Sequence, residues 1–347
     1  MKSPPGIRPG EELDVAAMDA WLKPRHAGLT GAPRVTPYSG GASNWTYRLE
    51  YESDDLVLRR PPAGTKAKSA HDMGREFRVQ KALRPVYPFV PEMIAFCDDP
   101  AVIGSDFYVM RRIPGLIPRA RLPEGLVLDA QAARALCLRV VDRLVDLHRV
   151  VARAAGLENL GKGAGYVRRQ IEGWTARYGE ARTWNVPRFL KIIAWLQAHV
   201  PEDSGTCAIH NDFRLDNLVL DPDEPTRVVG VLDWEMATLG DPLTDVALLL
   251  TYHRIADLEL GAGVSTASRA PGFVSRDDVV ARYGARSDRD LTHLGFYEAL
   301  ACFKLAVILE GIHYRHVHGQ TVGDGFSQIG SMVEPLLALG LDSMKEH

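Results

Sequence analysis

Hydrophobic and polar positions along this chain repeat with two different periods, and the switch between them divides it. Within 11–26, Leu13, Ala17 and Trp21, with Met18 and Leu22, recur at i, i+4, which predicts an amphipathic helix. From Val35 to Arg60 the period falls to two. "RVTPYS", "WTYRLEY" and "DLVLRR" are short runs rich in β-branched and aromatic residues, the first two separated by "GGASN", and they predict an antiparallel meander. "PPAGTKAKSA" reads as a loop and "AHDMGREFRVQKALRP" as a helix that stops before Pro85. "MIAFCDD" and "DFYVMRR" are two further strand candidates.

Past "IPG" at 113–115 the helical period takes over, in 129–151, 165–181 and 186–200. Two short strand runs interrupt it, Asn217–Leu220 and Val228–Asp233. The remainder is predicted helical apart from the loop at 261–272. "SRDD" at 275–278 and "SDRD" at 287–290 serve as capping-box starts, and the longest C-terminal helix covers about 290–316. The expected class is α+β: a small antiparallel β lobe with one helix, then a large, mainly helical lobe, joined at "RRIPG" (111–115). The expected divisions are an N-terminal extension over 1–30, a first lobe over 31–112 and a second over 113–347.

Composition narrows the function classes. A chain of 347 residues can form two lobes with a sizeable core, and 46% hydrophobic with 24% charged residues is ordinary for a globular protein. A net charge of -3 argues against a general nucleic-acid binder. Cys97, Cys137, Cys207 and Cys302 lack the short spacings of zinc or redox motifs, so a reduced, cytoplasmic setting is expected. No apolar run reaches 18 residues and no signal peptide is visible, so no membrane partner is expected. Oligomeric state is not legible.

The chemistry concentrates in "AIHNDFRLDNLVLDPDEPTRVVGVLDWEMA", residues 208–237. Polar groups set among β-branched strand residues are costly to bury without partners, so such a cluster marks a structural network or a reaction site. Phosphoryl transfer needs a group that orients the attacking hydroxyl and oxygen ligands for Mg²⁺. Asp212 can accept the hydroxyl proton. A hairpin from Leu218–Leu220 back to Val229–Leu232 would bring Asn217 toward Asp233, and amide and carboxylate oxygens suit Mg²⁺. Asp-x4-Asn followed by a hairpin and Asp is also the order of the catalytic loop and metal Asp of protein kinases. The plainer alternative is a surface loop rich in Asp and Asn.

Together, "HNDFRLDN", "VLDWE" and "GDPLTDVA" resemble the aminoglycoside phosphotransferase and choline-kinase-like family, closest to the branch related to the phosphotransferase domain found with some acyl-CoA dehydrogenases. The resemblance covers roughly 31–320 and implies a protein-kinase-like two-lobed fold. It implies ATP and Mg²⁺ as cofactors, Asp212 as catalytic base, and Asn217 and Asp233 as metal ligands. Arg214 falls where protein kinases carry a phosphate-contacting Lys, and His210 joins the catalytic group by holding the loop through hydrogen bonds. The branch commonly reads His-Gly-Asp where this chain has His210-Asn211-Asp212. Asn is among the non-Gly residues that best tolerate left-handed backbone.

Other motifs take their places around this stretch. "YSGGASNWTYRL" lies between two strands, and glycines let consecutive N–H groups cradle phosphates. Ser39, Gly40, Gly41, Ser43 and Asn44 are the candidate contacts, against a plain hairpin turn. Arg59 ends the next strand where kinases carry Lys, with Glu76 as its expected partner; the alternative is a solvated charge beside Arg60. "FYVMRRIPG" resembles an adenine-holding hinge, with backbone groups of Met110, Arg111 and Arg112 reading the base. Asp241 and Pro242 read as a helix cap and first residue. By resemblance Asp245 braces the catalytic loop, the alternative being a charge that favours a helix N-terminus.

Polycationic acceptors need several acidic groups. The segment expected to line the acceptor site holds Glu298 and Glu310, but also His253, Arg254, Lys304, His313 and Arg315. That mixture favours a neutral or anionic hydroxylated small molecule, such as a hydroxyacyl thioester, over an aminoglycoside. The expected activity is transfer of the ATP γ-phosphoryl group to an alcohol; the alternative is a non-catalytic nucleotide-binding module of kinase-like fold.

Overall fold

A computed structural model describes residues 11–38, 44–62, 72–119, 122–123, 125–184, 186–256, 258, 272–320 and 328–345. Ser39, Gly40, Gly41 and Ser43 lie outside these, as do most of the loops expected at 61–70 and 261–272. The chain forms two compact units. One comprises Met1–Pro114 with Gly230–Ala237, the other Gly115–Val229 with Thr238–His347.

The first unit is built on five antiparallel strands in the order β1-β2-β3-β5-β4: β1 Arg34–Pro37, β2 Trp45–Glu50, β3 Asp55–Arg60, β4 Met93–Cys97 and β5 Phe107–Arg111. Helix α1, Val15–Leu22, buries Met18 and Leu22 against one face with Leu49, Leu56, Leu58 and Phe107. Helix α2, Met73–Leu83, covers the other face, where Met73 and Phe77 pack on Val57, Tyr108 and Met110. Leu56 and Leu58 of β3 feed one core and Val57 the other, which is why the three run apolar in succession. The short helix α3, Pro100–Ile103, links β4 to β5.

The returning segment 230–237 completes this unit. Val231 N–H donates to the Phe89 carbonyl at 2.8 Å, and the fully buried Trp234 ring meets Tyr87 edge-on at 5.9 Å. Arg75 of α2 donates to the carbonyls of Glu235 and Ala237.

The second unit is mainly helical: α4 Ala130–His148, α5 Tyr166–Ala181, α6 Pro187–Ala198, α7 Pro242–Ala256, α8 Arg276–Arg286, α9 Leu294–Val317 and α10 Val333–Ser343. Helices α7 and α9 are buried on nearly every side, as expected of helices without a polar face, and α5, α7 and α10 pack on α9. Strands β6 Cys207–Ile209 and β9 Thr238–Gly240 pair antiparallel. Strands β7 Leu218–Leu220 and β8 Val228–Val231 form a second ribbon.

Three elements depart from the sequence reading: β6, β9 and α3 were not expected. "SRDD" does cap α8, with Ser275 and Asp278 exchanging a full capping box. "SDRD" starts no helix: Ser287 closes α8, Asp290 caps a turn at Thr292, and α9 begins only at Leu294. Among the described residues no helix is long and apolar enough to cross a membrane.

Candidate active site

The loop after β6 is where the second unit gathers its polar groups. Strand β6 brings the chain to His210, and β9 alongside it runs into Asp241, which caps α7 by accepting the Leu243 N–H at 2.9 Å. Asp241 also accepts from Ser204 N–H (2.6 Å), Ser204 hydroxyl (2.7 Å) and Tyr297 hydroxyl (2.8 Å). One turn on, Asp245 is fully buried and accepts the N–H groups of His210 and Asn211, each at 2.7 Å. It is thus a brace for the loop rather than a surface charge at a helix end. Burial alone would raise its carboxyl pKa, but the neighbouring His148, 3.4 Å away, and the His210 amide hold it below the ordinary value.

Asn211 is left-handed, with φ 65°, the conformation in which Asn can stand for Gly. That turn redirects the chain so that Asp212 follows, its N–H donating to His210 Nδ1 at 3.3 Å. Both carboxylate oxygens of Asp212 are held. Oδ1 accepts the Tyr252 hydroxyl at 2.7 Å, and Oδ2 accepts Asn217 Nδ2 at 2.9 Å. Asn217 Nδ2 also reaches the Asp212 carbonyl at 2.9 Å, so its amide nitrogen faces Asp212. Arg214 Nε lies 3.6 Å from Asp212 Oδ1, and its guanidinium sits 5.1 Å over the Tyr252 ring.

Beside this loop opens a cavity of about 340 Å³. Its walls include Leu249, Ile308, Ile312 and Leu336, while Arg214, Asp216, Tyr252 and His253 supply its polar side. Glu298 and Glu310, expected near an acceptor, are not among its lining residues. Glu298 is buried against Arg254 (3.2 Å) and Arg276 (2.6 Å), and Glu310 accepts the Thr183 N–H at 2.5 Å.

The first unit gathers a second group. Register places Arg59 of β3 opposite Tyr108 of β5, and both reach Glu76 of α2. Arg59 Nη1 donates to Glu76 Oε1 at 2.6 Å, the Tyr108 hydroxyl donates to the same oxygen at 2.8 Å, and Arg59 Nη2 donates to Asp233 Oδ1 at 3.2 Å. Burial works against the guanidinium charge, but Glu76 and the other acidic partners outweigh it and raise the Arg59 pKa well above normal. Arg59 is therefore a buried, paired cation, not a solvated strand-end charge. Asp233 is left-handed at φ 67°, a strained setting for a residue other than Gly. Its carboxylate is 37% exposed, and carboxylate oxygens are ligands of the kind Mg²⁺ takes.

Asn44 donates from Nδ2 to Glu235 Oε2 at 3.1 Å; it is the one glycine-loop candidate within the described residues. At the expected hinge, Met110 is buried and pairs with Val57. The Arg111 and Arg112 N–H groups already donate to the carbonyls of Glu92 (2.8 Å) and Asp55 (2.9 Å). Their side chains are held by Asp54, Glu92 and Asp55. Those two amides are committed to the protein.

Sequence reasoning passed over Tyr252 and Tyr108. Tyr252 follows Asp245 by seven residues on α7, two helical turns, so helical spacing alone puts both on one face. Tyr108 carried no such signal: it reads as one more aromatic in an apolar strand.

Residues 34–277 match the family model described as the phosphotransferase enzyme family. Acyl-CoA dehydrogenase family member 11 of Rattus norvegicus is 34% identical over 343 residues, covering 96% of this chain but only 44% of that protein. This chain therefore spans less than half the length of such relatives. Among solved structures, a candidate aminoglycoside phosphotransferase from Ralstonia eutropha is 31% identical, with a TM-score of 0.83, covering 96% of this chain and 99% of that one. Aminoglycoside phosphotransferase APH(4)-Ia, in a ternary complex with AMP-PNP and hygromycin B, is 13% identical with a TM-score of 0.59 over 95% and 98% of the two chains, a likeness of fold alone.

Proposed function

The chain belongs to the phosphotransferase enzyme family, and from that premise we propose that it transfers the γ-phosphoryl group of ATP, with Mg²⁺, to a hydroxyl of a small, non-aminoglycoside molecule. The observation that carries this reading is Asp212. Its carboxylate is held through both oxygens by Tyr252 and Asn217, on a loop whose amides are fastened to the buried Asp245. A carboxylate so held can align an attacking hydroxyl and take its proton as the bond to phosphorus forms. Arg214, beside Asp212, supplies positive charge for the transferring group.

In the first unit, Arg59 is anchored by Glu76 and grips the donor phosphates, with Asn44 and the adjoining Ser39, Gly40, Gly41 and Ser43 supplying further donors. Asn217 and Asp233 are the residues that would hold Mg²⁺, which would supply positive charge to offset that of the donor phosphates. Asn217 directly precedes β7 and Asp233 follows β8 by two residues, and these strands pair.

The acceptor is a neutral or anionic molecule with an apolar portion. Leucine and isoleucine walls form most of the 340 Å³ cavity, and its lining carboxylate, Asp216, faces Arg214 at 3.5 Å. A polycation would find little compensation there.

Asp212→Asn tests the reading. It should retain the fold and Mg-ATP binding by calorimetry, while ATP turnover, with water as substitute acceptor, falls by about 10²–10⁴-fold. Unchanged turnover would remove Asp212 as the base, and absence of any turnover in the wild type would favour a nucleotide-binding module.

A further inference from the structure

Helix α9 carries one lysine, Lys304, inside the run "ALACFKLAVILEG". It is 7% exposed. An ammonium group has three donors and no acceptor, so a buried one must find acceptors or lose its proton. Lys304 Nζ lies 3.4 Å from both the backbone carbonyl and the side-chain oxygen of Asn211. The Tyr166 hydroxyl of α5 donates to that same side-chain oxygen at 3.2 Å. On the opposite side of the residue, the Asn211 N–H goes to Asp245. The left-handed peptide ahead of Asp212 is thus gripped at its amide, its carbonyl and its side chain.

The space around Lys304 is too small for a substrate. The adjoining cavity, lined by Tyr166, Gln170, Asn211, Thr244 and Lys304 among others, measures about 20 Å³, room for a water molecule. The charges that face the ammonium are Asp245 from α7 and Asp212 from the loop, which favour it, and Arg177 from α5, which opposes it. The Trp174 ring of α5 lies 5.8 Å away, and the Tyr166 and Tyr297 phenols share the cavity wall.

We propose that Lys304 is a positioning residue for phosphoryl transfer: from α9 it clamps the left-handed peptide of Asn211 and so sets the direction of the Asp212 carboxylate. This rests on the reading of Asp212 as the base. Burial pulls the Lys304 pKa down to about 8. Between that value and the ordinary 10.5 the unfolded chain keeps a proton that the folded chain has lost, so stability rises with pH across that window. Below about 8 the buried charge is a standing cost to the fold. A residue kept there for stability alone would be better replaced by an apolar one; a clamp would not.

The experiment compares wild type, Lys304→Met and Lys304→Arg by four readouts: thermal melting, Mg-ATP affinity, Asp212-dependent ATP turnover from pH 6 to 9.5, and hydrogen exchange in the 208–214 peptide. Lys304→Met is expected to melt at pH 7 no lower than wild type and to bind Mg-ATP equally. Its turnover should fall about tenfold and its 208–214 amides exchange about tenfold faster, each equivalent to loss of one modest interaction. Wild-type turnover should decline above about pH 8, a limb missing from Lys304→Arg, whose cation persists and restores most of the rate. Wild-type turnover and exchange in Lys304→Met overturn the clamp, as does a lowered melting point with turnover lost only in proportion. If Lys304→Met does not fold, a Lys304→Arg chain with wild-type pH dependence overturns it equally. A wild type lacking Asp212-dependent turnover sinks the functional reading alone, and the exchange rates still decide the clamp.

Discussion

Asp212 and Asp245 share one loop but do different work. Asp212 reaches outward from it, held by the Tyr252 hydroxyl, whose own pKa is raised well above normal by burial and by the Asp212 charge, so that it stays a donor. Tyr252→Phe removes that donor and little volume. We expect turnover to fall roughly tenfold with Mg-ATP affinity unchanged, since a hydrogen bond to a charged group contributes about 1.5–3 kcal/mol; equal loss in both would mean that Tyr252 supports the fold instead. Asp245 acts on the backbone. Its folded pKa lies below the ordinary 3.8, so its contribution is full above that pH and is lost as the pH falls through the lower folded value. Asp245→Asn should therefore destabilise the protein by about 2 kcal/mol in urea titrations at pH 7, a difference that narrows in strongly acidic buffer. A difference constant from pH 7 to pH 2 would contradict the assignment.

At the scale of elements, the β6–β9 pair sets the loop's approach. Cys207 stands opposite Gly240, where an added Cβ would lie 2.5 Å from Ile209 Cδ1 and 2.8 Å from the Tyr166 ring. Gly240→Ala should cost about 1–3 kcal/mol of stability by denaturant titration, and turnover should drop with it, because Ile209 and Tyr166 flank His210 and Asn211. Wild-type stability would show that the neighbours yield. Neither strand was legible in the sequence. "CAI" and "TLG" are three residues each, too short for a period of two to declare itself. The longer elements were legible because their period is sustained, and the 208–237 stretch because its residue types recur at fixed spacing. Tyr252 escaped notice, and Lys304 was read only as one of the charges near an acceptor, because α7 and α9 are apolar on nearly every side, and no stripe singles out the side chain that turns toward the loop. The hinge candidates show the opposite limit: a motif located Arg111 and Arg112, but only hydrogen-bond geometry reveals that their amides are already engaged.

Across the whole molecule, the division into units does not follow chain order. Segment 230–237 belongs with 1–114, where it supplies Asp233 to Arg59, two carbonyls to Arg75, Glu235 to Asn44 and Trp234 to Tyr87. A fragment ending at residue 114 would lack all of these. We expect it to melt without cooperativity and to exchange its amides freely, while a permuted chain that appends 230–237 to it should fold better. A fragment that melts as sharply as the full protein would mean that the returning segment is dispensable.

That return also sets the order in which the protein can be made. As the chain leaves the ribosome, residues 1–114 emerge ahead of the second unit, yet the segment that completes their core is synthesised about 120 residues later. At about 5–20 residues per second, the sheet must wait roughly 6–25 s with Tyr87, Arg59 and Arg75 lacking those partners. During that interval the nascent first unit lacks the segment that completes its core. Slower translation between residues 115 and 229 would lengthen that wait rather than help it fold.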